Sequence, residues 1–193
     1  MARPRKIEIE DVRMRAMEAF WKNGFHEASL STLEDATGVG RRSLLNTFGD
    51  KRSMFIEALK DFRKVAATRF LSPMEADDAG LEAIRETLDR LAAEARTEAG
   101  QFGCLICNTA REPIAEDPDV NKQIWLYFGR IERAFAKALS AAVDAGDVPN
   151  DTDIARRAQS LLGTLVSLCT LARAGAPSSM TDNIAIEAIE QLR

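Results

Sequence analysis

Between Ser29 and Lys51 the chain reads SLSTLEDATGVGRRSLLNTFGDK, two short apolar-periodic segments kept from merging into one helix by Gly38 and Gly40. Ser31, Thr32 and Leu33 are expected to open a first helix that ends near Thr37, and Gly38 tolerates the positive φ of a helix stop. A second helix then starts near Arg41. Leu33, Ala36, Val39, Leu44 and Phe48 are expected to hold the two helices at their angle, leaving Arg41, Arg42, Ser43, Asn46 and Thr47 facing out. Donors in the first turn of the second helix can meet phosphates or guanine edges when its N-terminus enters a major groove. The pattern is that of a helix-turn-helix.

The net charge of the 193-residue chain is −4, which by itself argues against a nucleic-acid binder. Its distribution reverses the inference. Residues 1 to 64 hold 13 Lys and Arg against 10 Asp and Glu, +3, whereas residues 65 to 193 hold 13 against 20, −7. A basic binding module carried by an acidic body is implied. Three cysteines, an odd number, argue against a disulfide scaffold and for a reducing compartment. The N-terminus lacks an apolar core of signal-peptide length and the longest charge-free apolar stretch, between Arg157 and Arg173, is shorter than the roughly 20 residues of a membrane span. A cytoplasmic protein with no membrane role is expected.

Arg3, Arg5 and Lys6 form a basic N-terminal arm that is either a solvated terminus or a phosphate- or minor-groove-contacting segment. Ile9, Val12, Ala16, Ala19 and Phe20 then recur at steps of three and four, predicting an amphipathic helix stopped by Asn23-Gly24. Phe25 and Leu30 are expected to plug the small core. Gly49-Asp50 ends the recognition helix, with Asp50 capping the next. Lys51 beside that helix N-terminus is a poor dipole partner; it serves an external anion or is simply solvated.

These residues carry a resemblance. The segment AMEAFWKNGFHEASLSTLEDATGVGRRSLLNTFGDKRSMFIEAL is similar to the DNA-binding domain of the TetR/AcrR family of bacterial transcriptional regulators, in its apolar helix, Gly-aromatic pair, GVG turn, Ser-Leu pair and Phe-Gly-Asp-Lys stop. The resemblance implies base reading by Arg41 and Arg42 and phosphate contact by Ser31, Ser43, Thr47 and Lys51, with Asn46 on the same outward face. Two positions depart from the family pattern: Gly40 stands for a Ser or Thr cap, and Leu45 for a Tyr. Losing the cap hydroxyl to Gly costs a few tenths of a kcal/mol.

Residues 52 to 71 place Phe55, Ala58, Leu59, Phe62, Val65 and Ala66 on one face of a helix that Ser72-Pro73 is expected to break. By the resemblance, this helix carries a ligand signal to the recognition helices. A further helix has Leu81, Ile84, Leu88, Leu91 and Ala95 in register and ends at Ala99-Gly100. The segment Phe102 to Pro118 is the least regular, and its Cys104 and Cys107 share a face if helical. A metal needs ligands that the segment lacks. Sensing of oxidants or electrophiles is implied only by resemblance, and two small buried hydrophobes account for the same pattern. In the next long helix, Trp125, Tyr127 and Phe128 add aromatic surface. With Phe62, Phe70 and Phe102 they are candidates to line an apolar ligand pocket, or else plain core.

The stretch from Asp153 to Ala174 is apolar on more than one side, and Thr181 to Leu192 forms a last helix. A helix apolar on two sides must bury both, so a homodimer through the last two helices is expected, suited to a palindromic site. No motif calls for a cofactor or a metal. A helical thiol enzyme would need a base or a cofactor cradle, which no nearby histidine or glycine-rich loop supplies. A helical binding protein without DNA would leave the basic motif without purpose. The expected protein is all-α: a helix-turn-helix domain over residues 1-50 and a helical ligand-binding and dimerisation domain over 51-193. It binds a double-stranded DNA operator as a repressor and answers a small apolar or reactive inducer.

Overall fold

A computed structural model describes residues 8–193; Arg3, Arg5 and Lys6 lie outside the described residues. The chain is all-α, with no strand among the described residues. Helices α1 (Ile9–Glu27), α2 (Leu30–Thr37) and α3 (Arg41–Phe48) form the N-terminal head. Val12, Ala16, Ala19 and Phe20 turn the inner face of α1 onto the core, and Phe25 stacks beside Phe20 with ring centroids 6.5 Å apart. Gly24 interrupts α1 at φ 75°, ψ 177°, which is where Asn23-Gly24 predicted its stop.

Ser29 caps α2 by accepting from the Thr32 amide, so the helix opens one residue earlier than expected. Leu33 and Leu44 are fully buried at the α2–α3 junction, with Val39 and Phe48 packed half-buried beside them. Ala36, expected inside, is exposed; buried Thr37 takes the inward place and satisfies its hydroxyl on the Leu33 carbonyl at 2.6 Å.

Helix α4 (Lys51–Ala66) starts from Asp50, whose side chain accepts from the Ser53 amide, and packs along α1. The expected break at Ser72-Pro73 is absent. The chain runs through a π-helical turn, Ala67–Leu71, into the short α5 (Ser72–Glu75), because Pro73 sits in a first turn where its missing N–H costs nothing. Helix α6 (Leu81–Glu94) ends earlier than Ala99-Gly100. The irregular segment holds two 3₁₀ turns and the five-residue α7 (Leu105–Thr109).

Helix α8 (Pro118–Asp144) is capped by Asp117, and α9 (Ile154–Arg173) by Asp153. The chain closes with α10 (Ser178–Glu190), laid across α6 and α9. One continuous apolar core joins head and body through Phe55, Leu59 and Phe62 of α4. No helix among the described residues is long and apolar enough to cross a membrane.

Candidate nucleic-acid interface and effector cavity

Arg41, Arg42, Ser43, Asn46 and Thr47 all lie exposed on the outer side of α3, and Ser31 is exposed on α2. With no hydroxyl at Gly40, the first amide of α3 finds another acceptor: the Arg41 N–H donates to Glu34 Oε1 at 2.6 Å. Glu34 Oε2 lies 3.5 Å from Arg41 Nε, so one carboxylate of α2 both caps α3 and orients its first arginine. Lys51 turns back toward α1. Its ammonium donates to the His26 carbonyl at 3.2 Å and stands 4.6 Å above the Phe25 ring, which ties the start of α4 to the end of α1.

An apolar cavity of about 90 Å³ opens where head and body meet. One water needs roughly 10–15 Å³ by the same measure, so the space suits a small organic molecule. Met17 and Trp21 of α1 form one wall, Phe62 of α4 and Phe70 of the π turn a second, and Tyr127, Cys104 and Cys169 the floor. Its charged lining groups, Arg69 and Glu94, are paired with each other, which leaves a neutral guest favoured.

Of the residues expected to line a pocket, Phe62, Phe70 and Tyr127 line the cavity, and Cys104 lies beside them. Phe102 sits edge-on to Trp21 at 6.1 Å, and Cys107 is buried outside the wall. Phe128 is half-buried away from the cavity, and Trp125 is 65% exposed on the outside of α8. The structure places neither of these two on the cavity wall, because Ile124, Tyr127 and Ile131 set the inward face of α8 and a residue one step from it is rotated by about 100°. Trp21 and Cys169 went unnoticed. Trp21 lies in the α1 sequence that reads as head, and Cys169 in the broadly apolar run of α9, so neither spacing marks it as a cavity residue.

Cys104, Cys107 and Cys169 are free thiols within hydrogen-bonding reach of one another. Burial works against a Cys104 thiolate, but donation from the Cys107 and Cys169 thiols and from the amides of Cys107 and Ile106 outweighs it, so its pKa falls well below the ordinary thiol value. Cys107 and Cys169 shift upward in turn, chiefly through their hydrogen bonds to Cys104. Among the described residues no three His, Cys, Asp or Glu side chains converge as a metal site.

The irregular segment also holds the head. The Trp21 indole N–H donates to the Gly103 carbonyl at 2.9 Å, and the Phe25 amide donates to Glu112 Oε2 at 3.0 Å. Arg52 forks onto Asp117 at 2.6 and 2.7 Å and reaches Asp119 at 2.6 Å. The hydrogen bond from Arg52 holds the Asp117 carboxyl down at about 2.

Comparison with known proteins agrees with this arrangement. Residues 14–58 match the family profile "Bacterial regulatory proteins, tetR family", and residues 80–186 match "Tetracyclin repressor-like, C-terminal domain". The chain is 30% identical over 174 residues to the HTH-type transcriptional regulator YezE of Bacillus subtilis (strain 168), covering 90% of each chain. It is 22% identical over 175 residues to the HTH-type transcriptional repressor ComR of Escherichia coli (strain K12), covering 90% of this chain and 83% of that one. A solved structure of a cysteine mutant of the TetR-family regulator CifR, complexed with 26-base-pair double-strand operator DNA, superposes with a TM-score of 0.87 at 25% identity, covering 99% of this chain and 100% of that one. The helix-turn-helix head, the helical body and these matches together make the chain a member of the TetR family of DNA-binding transcriptional regulators, not an enzyme.

Proposed function

We propose that the protein is a dimeric repressor released from a palindromic operator when a small neutral molecule fills the cavity. The observation that carries this reading is the cavity itself, because its walls belong to both parts: Trp21 comes from the head, Phe62 from the connecting helix and Cys169 from the body. A guest there can bind the two arrangements of head and body with different affinity, which is the requirement for any ligand switch. On this reading residues 1-50 bind DNA and 51-193 bind the effector and the second copy. Arg41 and Arg42 read bases; Ser31, Ser43, Thr47 and Lys51 meet the backbone, with Asn46 on the same DNA-facing side. ComR is named a repressor and CifR was solved on operator DNA, which supports the direction of control.

Dimerisation through α9 and α10 is supported by the surface they present. Ser160, Gly163 and Ser167 keep the outer side of α9 slim, and Met180 and Ile186 of α10 are exposed. Binding of the chain to a duplex from its own promoter region, measured across salt, tests the whole. A strong fall in affinity with salt and release by a small apolar compound are expected. Binding without sequence preference or salt slope refutes the reading.

Cys104 and Cys169 on the cavity floor, with Cys107 buried behind them, favour a second reading, in which the inducer is an oxidant or electrophile that reacts at Cys104 with Cys107 as its neighbour. An unchanged response to such reagents in the Cys104→Ser, Cys107→Ser protein eliminates it.

A further inference from the structure

The positive φ of Gly24 turns the backbone so that the amides of Phe25 and His26 point to one spot outside α1. Glu112 fills that spot. Its Oε2 accepts from Phe25 at 3.0 Å and from His26 at 3.4 Å. A Cβ at position 24 would lie 2.8 Å from Glu112 Oε1, so the carboxylate approaches this closely only because the residue is glycine. The donors belong to the DNA-reading head and the acceptor to the body, 87 positions further along the chain.

Glu112 is one end of a strap. The other end is Gly103, whose carbonyl takes the Trp21 indole N–H. Trp21 and Phe25 are one helical turn apart, so the strap from 103 to 112 grips a single stretch of α1 at two points. Its root is fixed to α9, where Arg173 donates to the Phe102 carbonyl at 3.0 Å and a Cβ on Gly103 would meet the Cys169 carbonyl at 2.9 Å; Asn108 of the strap donates to the same Phe102 carbonyl at 2.9 Å. Between the two grips lie Cys104, on the cavity floor, and buried Cys107. Any displacement of the cavity floor therefore has a direct path to α1 that does not run through α4.

We propose that Glu112 is a positioning residue, the clasp by which the cavity-bearing strap sets the attitude of the DNA-reading head relative to α9. This rests on the regulator reading above. The clasp needs an oxygen acceptor at the reach of a five-atom side chain and does not need the charge, which separates it from a general electrostatic contribution to folding.

The test uses the full chain and a duplex selected by the wild-type protein from a randomised pool. Amide exchange read by NMR should show Phe25 and His26 losing protection in Glu112→Ala and keeping it in Glu112→Gln. Operator affinity should fall about tenfold in Glu112→Ala, and about tenfold in Cys107→Leu, which overfills the strap; the double variant should also lose about tenfold because both changes act through one clasp. Cys107→Val gives a milder version should Leu prevent folding. Glu112→Gln should stay within about twofold of wild type. Additive losses in the double variant, an unaltered affinity in Glu112→Ala, or equal losses in Gln and Ala that follow the melting temperature would each overturn the clasp. Failure of the wild-type protein to select any duplex would instead remove the regulator reading beneath it.

Discussion

The head is joined to the body in two ways, and they are built from different chemistry. Helix α4 is welded to α1 by packing: the fully buried Phe55 ring meets Phe20 and Phe25 with centroids 5.0 Å from each, and Arg13 forks onto Asp61 at 3.0 and 2.8 Å. The segment from Gly103 to Asp117 packs buried α7 against α1 and adds polar links to it: Trp21 to Gly103, Phe25 and His26 to Glu112, and, from α4, Arg52 to Asp117. Removing a buried aromatic ring costs about 3–5 kcal/mol, whereas a neutral hydrogen bond such as Trp21 to Gly103 contributes about 0.5–1.5 kcal/mol and one to a charged group about 1.5–3 kcal/mol. Allosteric coupling energies are of order 1–3 kcal/mol. The packed join is thus too strong for an effector to break and must move as a body, while individual links of the polar join are within reach.

That contrast can be broken most directly at Phe55. Phe55→Ala should cost about 3–5 kcal/mol in urea unfolding, and a loss below about 1 kcal/mol would mean that α4 is not welded to α1 at all. Gly103→Ala comes next. At φ 66°, with Cys169 and Arg173 against it, an added methyl should cost about 2–3 kcal/mol in the same assay, from backbone strain and a displaced strap root. Trp21→Phe keeps the ring packed edge-on to Phe62 at 5.3 Å but removes the donor to Gly103; a loss of about 1 kcal/mol is expected, and a loss near that of Phe55→Ala would erase the distinction between the joins.

The smallest effect is a pH signature. The Asp117 carboxyl sits at about 2 in the folded protein against roughly 3.9 for an unperturbed aspartate, so its contribution is present above about pH 4 and disappears as pH falls toward about 2. Asp117→Asn keeps an oxygen for the cap of α8 but weakens the pairing with Arg52. Its melting temperature should lie below wild type near neutral pH, and the gap should close between about pH 4 and pH 2. A gap that widens on acidification would contradict the assignment.

Much of the head was legible because its determinants are close in sequence. Gly38 ends α2 at φ 70°, Asp50 caps α4, and the three-four rhythm of α1 marks the side that Phe20 buries. The body was legible as helices but not as a site. Trp125 and Phe128 carry the right chemistry for a pocket, yet α8 rotates them away from it, and nothing in their spacing reveals which side of a long helix faces a cavity. The register depends on what else packs there, here Phe62 against Tyr127 at 6.4 Å.

The sequence by itself determined the helix-turn-helix, its outward arginines, the Asp50 cap of α4 and the split between a basic stretch over residues 1–64 and an acidic remainder, since all of these follow from residue type and spacings of a few positions. Only the tertiary structure decided that Trp21 of the head and Cys169 of the body share one cavity, that Glu34 replaces the missing cap at Gly40, and that Glu112 closes on the amides beyond Gly24. Caps and helical faces are set by bonds that reach three or four residues along one chain. The cavity and the clasp join residues more than eighty positions apart, and such pairs are brought together by the packing of whole helices.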